Sequence, residues 1–81
     1  MNVRVLFFAT AREAAGCATV DLSLSDGATV GQARGAIARR FPELGPRLPH
    51  FRYAVNREFA GEDAVLHEGA ELAVIPPVSG G

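Results

Sequence analysis

The sequence predicts an α+β domain in which one main helix packs against one face of a sheet. Three observations support this fold class. Side chains alternate between apolar and polar along residues 2–10 and 18–24, apolar residues recur at helical spacing between positions 30 and 41, and a final strand pattern spans 71–75. Because 81 residues with a hydrophobic content of 48% suit one small core, we expect a single domain.

Residues 2–10 form the first predicted strand. Its alternation places two sets of side chains on opposite faces, with Val3, Val5 and Phe7 towards the helix and Arg4, Leu6 and Phe8 outwards. Residues 11–16 are small or polar and predict a connection. Since residues 18–24 alternate again, we expect a second strand that pairs with the first in a hairpin with a long loop.

The main helix is expected to begin after Thr29. Thr29 suits the N-cap position, and Gln32 follows at the spacing of a capping box, in which each side chain satisfies the other residue's free amide. Pro42 ends the helix at or before the preceding residue, and residues 43–50 predict a loop. One buried stripe is expected from the apolar residues Val30, Ala33, Ile37 and Phe41.

The second half of the chain supplies the remaining strands. Residues 61–69 predict turns, with Val65 and Leu66 as contacts to the core. Three strands are expected around them, at residues 51–56, 57–60 and 71–75.

Strand parity also predicts an exposed apolar patch. Phe8 shares the outward side of the first strand with Arg4, Ile75 shares a side with Glu71 in the last strand, and Phe59 lies two residues from a charged neighbour. Because exposed apolar clusters often mark interfaces, we expect Phe8, Phe59 and Ile75 to contact a partner protein. A covering loop, or a slip of parity at a bulge, is the alternative.

Composition excludes several classes of function. The net charge is −1 and no basic face is evident, which argues against nucleic acid as a partner; all eight basic residues are arginines. Cys17 is the only cysteine, so no internal disulfide forms, as is typical of a reducing cytoplasm. No run approaches the ~20 apolar residues of a membrane helix. We therefore expect a soluble cytoplasmic protein with no membrane partner.

Patterns typical of a self-contained enzyme are absent from the sequence. Gly31 and Gly35 lie within the helix pattern, and no lysine follows them as a phosphate-binding loop would require. We find no metal-ligand spacing and no nucleophile elbow, so we predict no metal site. His50 and His67 flank loops and are expected to face solvent.

Residues 76–81 read Pro-Pro-Val-Ser-Gly-Gly and predict a flexible tail beyond a domain of residues 1–75. Prolines remove amide donors and so end a strand ladder, whereas glycines keep a chain slim because they lack a Cβ. Such an arm suits a protein whose terminal carboxylate reacts inside a narrow site of another protein. A frayed terminus is the alternative, although fraying does not need a Pro-Pro spacer before two glycines.

These residues together resemble the sulfur-carrier small subunit of molybdopterin synthase. The resemblance spans essentially the whole chain, and its most specific part is the closing Pro-Pro-Val-Ser-Gly-Gly. The family usually has Asp-Gly-Asp where this chain has Glu-Gly-Ala at 68–70. The matching stretches are Leu6-Phe7-Phe8-Ala9 with Arg12, Glu13 and Gly16, then Val55-Asn56 with Glu58, and finally residues 68–81.

The resemblance implies a ubiquitin-like β-grasp fold, with a mixed sheet of four to five strands whose first and last strands lie parallel at its centre. It implies that an adenylating enzyme similar to ubiquitin-activating enzymes uses ATP to activate the Gly81 carboxylate. A persulfide sulfur donor then converts it to a thiocarboxylate. Gly81 is thus the expected reacting residue, and the tail that enters the large synthase subunit comprises Pro76, Pro77, Val78, Ser79 and Gly80.

In the large subunit, the resemblance implies sulfur transfer to cyclic pyranopterin monophosphate, which builds the dithiolene of molybdopterin. It implies no stably bound cofactor, only covalent sulfur on Gly81, and a heterotetramer of two small and two large subunits. The chain alone is not expected to be an enzyme. Three alternatives stay open: a sulfur carrier of another pathway such as thiamine or cysteine synthesis, a ubiquitin-like protein modifier, and a binding module with an inert tail.

Overall fold

The computed structural model describes residues 1–77, and within them five strands and two α-helices form one sheet with helices beside it. No helix among these residues has the length and apolar character needed to span a bilayer. The elements are β1 Asn2–Phe7, α1 Ala9–Ala15, β2 Thr19–Ser23, α2 Val30–Arg40, a 3₁₀ turn Leu48–His50, β3 Arg52–Val55, β4 Glu58–Ala60 and β5 Glu71–Ile75.

The strands lie side by side in the order β2-β1-β5-β3-β4. β1 and β5 are parallel, with Val5 opposite Leu72 and Phe7 opposite Val74, and every other neighbouring pair is antiparallel. The first and last strands therefore form the central pair, which confirms the arrangement that the family resemblance implied. The predicted α+β class with a mixed sheet is also confirmed.

One face of the sheet carries the hydrophobic core. The inward residues of the two central strands are 0–3% exposed, and they form one cluster with the apolar stripe of α2. Phe7 meets Phe41 edge to face, with 5.2 Å between ring centroids. The predicted parity is thus confirmed, since the buried set comprises Val3, Val5, Phe7, Leu72 and Val74 on the strands and Val30, Ala33 and Ile37 on the helix.

Helix α2 begins with the predicted capping box. The Gln32 amide donates to Oγ1 of Thr29 at 3.2 Å, and the Thr29 amide donates to Oε1 of Gln32 at 2.9 Å. At the other end the Phe41 amide still donates to the Ile37 carbonyl, at 2.8 Å, before Pro42 stops the helix.

A short helix replaces the predicted end of the first strand and the connection after it. β1 stops at Phe7, and α1 occupies Ala9–Ala15, where we expected strand to residue 10 and loop over 11–16. Ala11 is fully buried and anchors the helix, and Gly16 caps it in the left-handed conformation with φ of 76°. Four alanines favour helix, but one buried residue is too weak a periodic signal to predict it.

Two expectations about the second half of the chain were wrong. Val65 is 49% exposed, whereas Leu66, at 1% exposure, enters the core as predicted. The backbone of Val65 pairs with Thr29 in an isolated bridge, and successive side chains of such extended backbone point to opposite faces. The segment 43–50 is not wholly loop, since it ends in the 3₁₀ turn Leu48–His50, whose Leu48 is buried.

Candidate functional site

The outer face of the sheet carries an apolar groove of about 500 Å³. It lies on the side opposite the core, because alternate residues of each strand point away from it. We call it the outer groove, and its lining residues are Leu6, Phe8, Ala54, Arg57, Phe59, Glu71, Ala73 and Ile75.

The floor of the outer groove is one row of residues across four strands. Leu6 of β1 is opposite Ala73 of β5, Ala73 is opposite Ala54 of β3, and Ala54 is opposite Phe59 of β4. The two central members are alanines and the two outer members are large. This difference in side-chain size makes the row a depression rather than a flat surface.

Phe8 forms one wall of the groove at the point where β1 gives way to α1. Its backbone is extended, its amide donates to the Val74 carbonyl at 3.3 Å, and its carbonyl accepts from the Ala11 amide at 3.0 Å. Phe8 is 47% exposed. A tightly held backbone therefore presents an aromatic ring that the domain itself does not bury.

Phe59 forms the facing wall on the short edge strand β4. A two-residue turn, Asn56-Arg57, joins β3 to β4, and both residues have positive φ, at 50° and 73°. Asn56 ties this hairpin to β5, because its side-chain oxygen accepts from the Glu71 amide at 3.0 Å. Two adjacent left-handed residues are typical of the hairpin turn that matches strand twist. The two predicted strands, 51–56 and 57–60, followed each other without a gap and so missed this turn, since neither turn residue is glycine.

Arg52 of β3 lies across the Phe59 ring. Its guanidinium carbon is 4.0 Å from the ring centroid, well within the range of a cation–π contact. Phe59 is 62% exposed despite this contact. A second, more polar depression lies beyond the stack, and its lining includes Arg34, Arg52, Phe59 and Glu62.

The C-terminal strand leads the chain out of the sheet beside the groove. Ile75 lines the groove, Pro76 is buried and Pro77 is exposed, so the chain leaves the body between the two prolines. Residues 78–81 lie outside the described part, and with them the expectations for Val78, Ser79, Gly80 and Gly81. The predicted boundary after residue 75 stays a prediction.

The structure brings together the three residues predicted as an interface, since Phe8, Phe59 and Ile75 all line the outer groove. Their contact with a partner stays a prediction. Sequence analysis did not single out Ala54, which closes the floor. The sequence pattern gives little indication of its position, because alanine occurs on both buried and exposed faces. Only strand pairing shows that Ala54 lies between Ala73 and Phe59.

The single cysteine lies away from the outer groove. Cys17 is half-buried in the connection after α1, where a separate shallow depression also contains Arg12 and Glu13. Within residues 1–77, no three His, Cys, Asp or Glu side chains converge as metal ligands would.

Comparison with known proteins gives a consistent result. A sequence model described as the ThiS family matches residues 5–81. The molybdopterin synthase sulfur carrier subunit of Arabidopsis thaliana is 33% identical over 81 residues, covering all of this chain and 84% of the relative. The resemblance to molybdopterin synthase sulfur carriers is therefore confirmed.

Solved structures share the fold. The crystal structure of small archaeal modifier protein 1 from Haloferax volcanii superposes with a TM-score of 0.92 at 34% identity, and the match covers all of both chains. A chain from the complex of subunits 1 and 2 of the Helicobacter pylori molybdopterin-converting factor matches with a TM-score of 0.71 at 24% identity, again over all of both chains. Such matches confirm the ubiquitin-like β-grasp fold.

Proposed function

We propose that this chain, which belongs to the ThiS family, is the sulfur-carrier subunit of a molybdopterin synthase. The observation that carries the proposal is structural: β5 supplies Ile75 to an exposed apolar groove and then leads directly into the Pro-Pro-Val-Ser-Gly-Gly segment. One partner surface could therefore cover the groove and receive the tail in the same binding event. The match to the Arabidopsis carrier, which covers all of this chain and 84% of the relative, supports the same function.

The proposed reaction uses the Gly81 carboxylate. A carboxylate is a poor electrophile, so an adenylating enzyme first joins it to AMP from ATP, which releases pyrophosphate and creates a good leaving group. The terminal sulfur of a persulfide donor then attacks the acyl group and displaces AMP, which forms an acyl disulfide between Gly81 and the donor. A thiol cleaves this disulfide by exchange and is oxidised to a disulfide with the donor, which leaves a thiocarboxylate on Gly81. In the large subunit the sulfur of this soft nucleophile attacks cyclic pyranopterin monophosphate and forms a thioester between it and Gly81. Water then cleaves the bond between the Gly81 acyl carbon and the sulfur, which leaves the sulfur on the pterin and restores the carboxylate. Two such transfers complete the dithiolene.

The residues of this chain bind and position rather than catalyse. The outer groove docks the domain, and docking delivers the tail at a high effective concentration to a site in the partner. Pro76 and Pro77 favour an extended exit from the sheet, and Gly80 leaves space in a narrow channel. General acid and base groups belong to the partner under this proposal.

Intact mass spectrometry tests the carrier role. The chain is incubated with a cognate adenylating enzyme, ATP and a persulfide donor, and we expect a mass gain of one oxygen-to-sulfur exchange located on Gly81. The matched control lacks Gly81 and should gain nothing. An unchanged mass, with an enzyme shown to be active on another carrier, would contradict the proposal and favour a binding module with an inert tail.

Protein modification is the second candidate, and the likeness to the Haloferax modifier favours it specifically. The activated Gly81 would then form an isopeptide bond with an amine of another protein. Because the 81 residues contain no lysine, such isopeptide bonds would form on lysines of the target proteins and not on a lysine of another copy of this chain. Covalent adducts that survive thiol treatment and disappear without Gly81 would support this function. Sulfur loading without adducts would leave the carrier function alone.

Carriers of other sulfur pathways differ from this proposal only in the acceptor. Reconstitution with the large synthase subunit and cyclic pyranopterin monophosphate separates them. Molybdopterin formation by the loaded chain is expected, and loading without any transfer would point to thiamine, cysteine or another sulfur acceptor.

A further inference from the structure

Arg52 forms an exposed, ordered cation at the edge of the outer groove. Its side chain is exposed, and its guanidinium stacks 4.0 Å from the centroid of the Phe59 ring. Stacking holds the planar group in one orientation while its N–H donors stay available at the edges. An arginine held in this way loses less conformational entropy when it binds than a freely moving one does.

The charge of Arg52 is not neutralised within the described part of the chain. Among residues 1–77, side-chain ion pairs join Arg4 with Asp21 and Arg34 with Glu62, and none includes Arg52. Glu62 lines the same polar depression, but its carboxylate is 2.9 Å from Nη2 of Arg34. The depression therefore presents an uncompensated guanidinium beside an occupied carboxylate.

Arg52 also lies where the tail leaves the domain. In the pairing of β3 with β5 it is opposite Ile75, the last strand residue before the two prolines. Phe59 lines both the outer groove and the polar depression, so the cation borders the apolar surface directly. A protein that covers the groove and receives the tail would approach Arg52 closely.

We propose that Arg52 binds a carboxylate on the large synthase subunit, at the rim of the channel that receives the tail. This inference rests on the proposed function and adds a charged contact to it. A carboxylate fits because the planar fork of a guanidinium pairs with it through two parallel hydrogen bonds. Covering the groove removes water from around this pair and strengthens it, while the exposed charge steers the encounter beforehand.

Binding kinetics of full-length variants with the large subunit test the contact. Arg52→Glu reverses the charge and Arg52→Gln removes it, whereas Arg39→Glu makes the same reversal at an exposed position on α2, on the opposite layer. We expect Arg52→Glu to weaken binding about tenfold or more at low salt, by slowing association and by speeding dissociation, and Arg52→Gln to weaken it less. The affinity difference between Arg52→Glu and the wild type should shrink as the salt concentration rises. Arg39→Glu should bind within about twofold of the wild type.

Several results would overturn the inference. If Arg52→Glu binds the large subunit as tightly as the wild type does, the contact does not exist. If Arg52→Glu and Arg39→Glu lose the same affinity, the effect comes from net charge and not from a contact at Arg52. Thermal unfolding verifies that each variant folds, and Arg52→Gln decides the question if charge reversal disturbs the domain.

Sulfur loading of the same proteins separates this inference from the proposed function. Normal loading of Arg52→Glu with weakened binding supports the contact with the large subunit. Reduced loading with unchanged binding would move the contact to the activating enzyme and overturn it as stated. A wild-type chain that takes up no sulfur would contradict the proposed function itself.

Discussion

The two aromatic walls of the outer groove are held by unusual backbone conformations. Ala9, directly after Phe8, has φ of 49°, and the turn before Phe59 contains Asn56 and Arg57 at 50° and 73°. Among residues 1–77, these three are the non-glycine residues with positive φ. Left-handed conformations cost a side-chain-bearing residue about 1–2 kcal/mol, with asparagine the usual exception. Strain therefore coincides with the places where the chain turns to present Phe8 and Phe59.

Tyr53 is the inward neighbour of Arg52, and its hydroxyl donates to the Leu48 carbonyl at 2.7 Å. Tyr53→Phe removes this hydrogen bond, while the Leu48 carbonyl still accepts from the Phe51 amide at 3.1 Å, so we expect a loss of about 0.5–1.5 kcal/mol in the free energy of unfolding. Urea denaturation near neutral pH measures this loss. An unchanged midpoint would mean that the Tyr53 hydroxyl adds no stability beyond the hydrogen bond from the Phe51 amide.

Tyr53 should also make stability depend on pH in the alkaline range. Burial raises its pKa from 10.0 to about 12, with Arg34 opposing the shift. Below pH 10 the phenol is neutral in both the folded and the unfolded chain, so its full contribution to the free energy of unfolding is present. Between pH 10 and about 12 the unfolded chain loses the proton first, so stability falls. Denaturation of wild type and Tyr53→Phe across this range should show a smaller decline in the variant, and parallel declines would contradict the assignment.

At the scale of single elements, the capping box sets where α2 begins. Thr29→Ala removes the oxygen that accepts from the Gln32 amide, and we expect a loss of about 1 kcal/mol. Thr29→Ser retains the hydroxyl and serves as the matched control. Chemical denaturation of both variants measures the effect, and equal losses would assign it to the methyl group instead of the cap.

Two glycines within α2 differ in what surrounds them. A Cβ on Gly31 would lie 3.3 Å from the Glu62 carbonyl oxygen, which already accepts from the Gly31 amide at 2.9 Å, whereas a Cβ on Gly35 would meet only Nη1 of Arg39, at 3.8 Å. Alanine favours the helix over glycine by about 1 kcal/mol. We therefore expect Gly35→Ala to raise the free energy of unfolding by about 0.5–1 kcal/mol.

At Gly31 the same substitution must displace the chain at Glu62, so its gain should be smaller or absent. Urea denaturation of the two variants side by side makes the comparison. Equal gains would show that the segment containing Glu62 adjusts without cost.

At the scale of the whole molecule, the parallel pairing of β1 with β5 accounts for the site. It places the end of the last strand beside Phe8, although Phe8 lies near the start of the sequence. The edge strand β4 then closes the other side of the groove with Phe59. The fold thus assembles one apolar surface from both ends of the sequence, next to the point where residues 76–81 begin.

Two exposed hydrophobic residues test whether this surface is an interface. Phe59→Ser and Val65→Ser both remove an exposed apolar side chain, but only Phe59 lines the outer groove. We expect Phe59→Ser to weaken binding to the large subunit by about 1.5–3 kcal/mol, the value of burying such a side chain. Val65→Ser should bind normally, and both should change stability by only about 0.5 kcal/mol. Isothermal titration calorimetry measures the affinities, and equal effects would exclude the groove as the interface.

The sequence by itself determined the features that depend on local periodicity. Alternation along β1 and β5 assigned Phe8 and Ile75 to the outer face, and Thr29 with Gln32 set the start of α2, since these patterns follow from the backbone geometry of one element. The resemblance to sulfur carriers added the parallel central pair, which periodicity alone does not predict.

Only the tertiary structure decided which outward residues meet. The row from Leu6 to Ala73, Ala54 and Phe59 depends on the register of three strand pairs, and that register comes from contacts between residues far apart in the chain. The left-handed turn at Asn56-Arg57 and the stack of Arg52 on Phe59 follow from the same pairing. Local sequence patterns carry little of this information, because long-range pairing overrides the conformational preferences of a few residues.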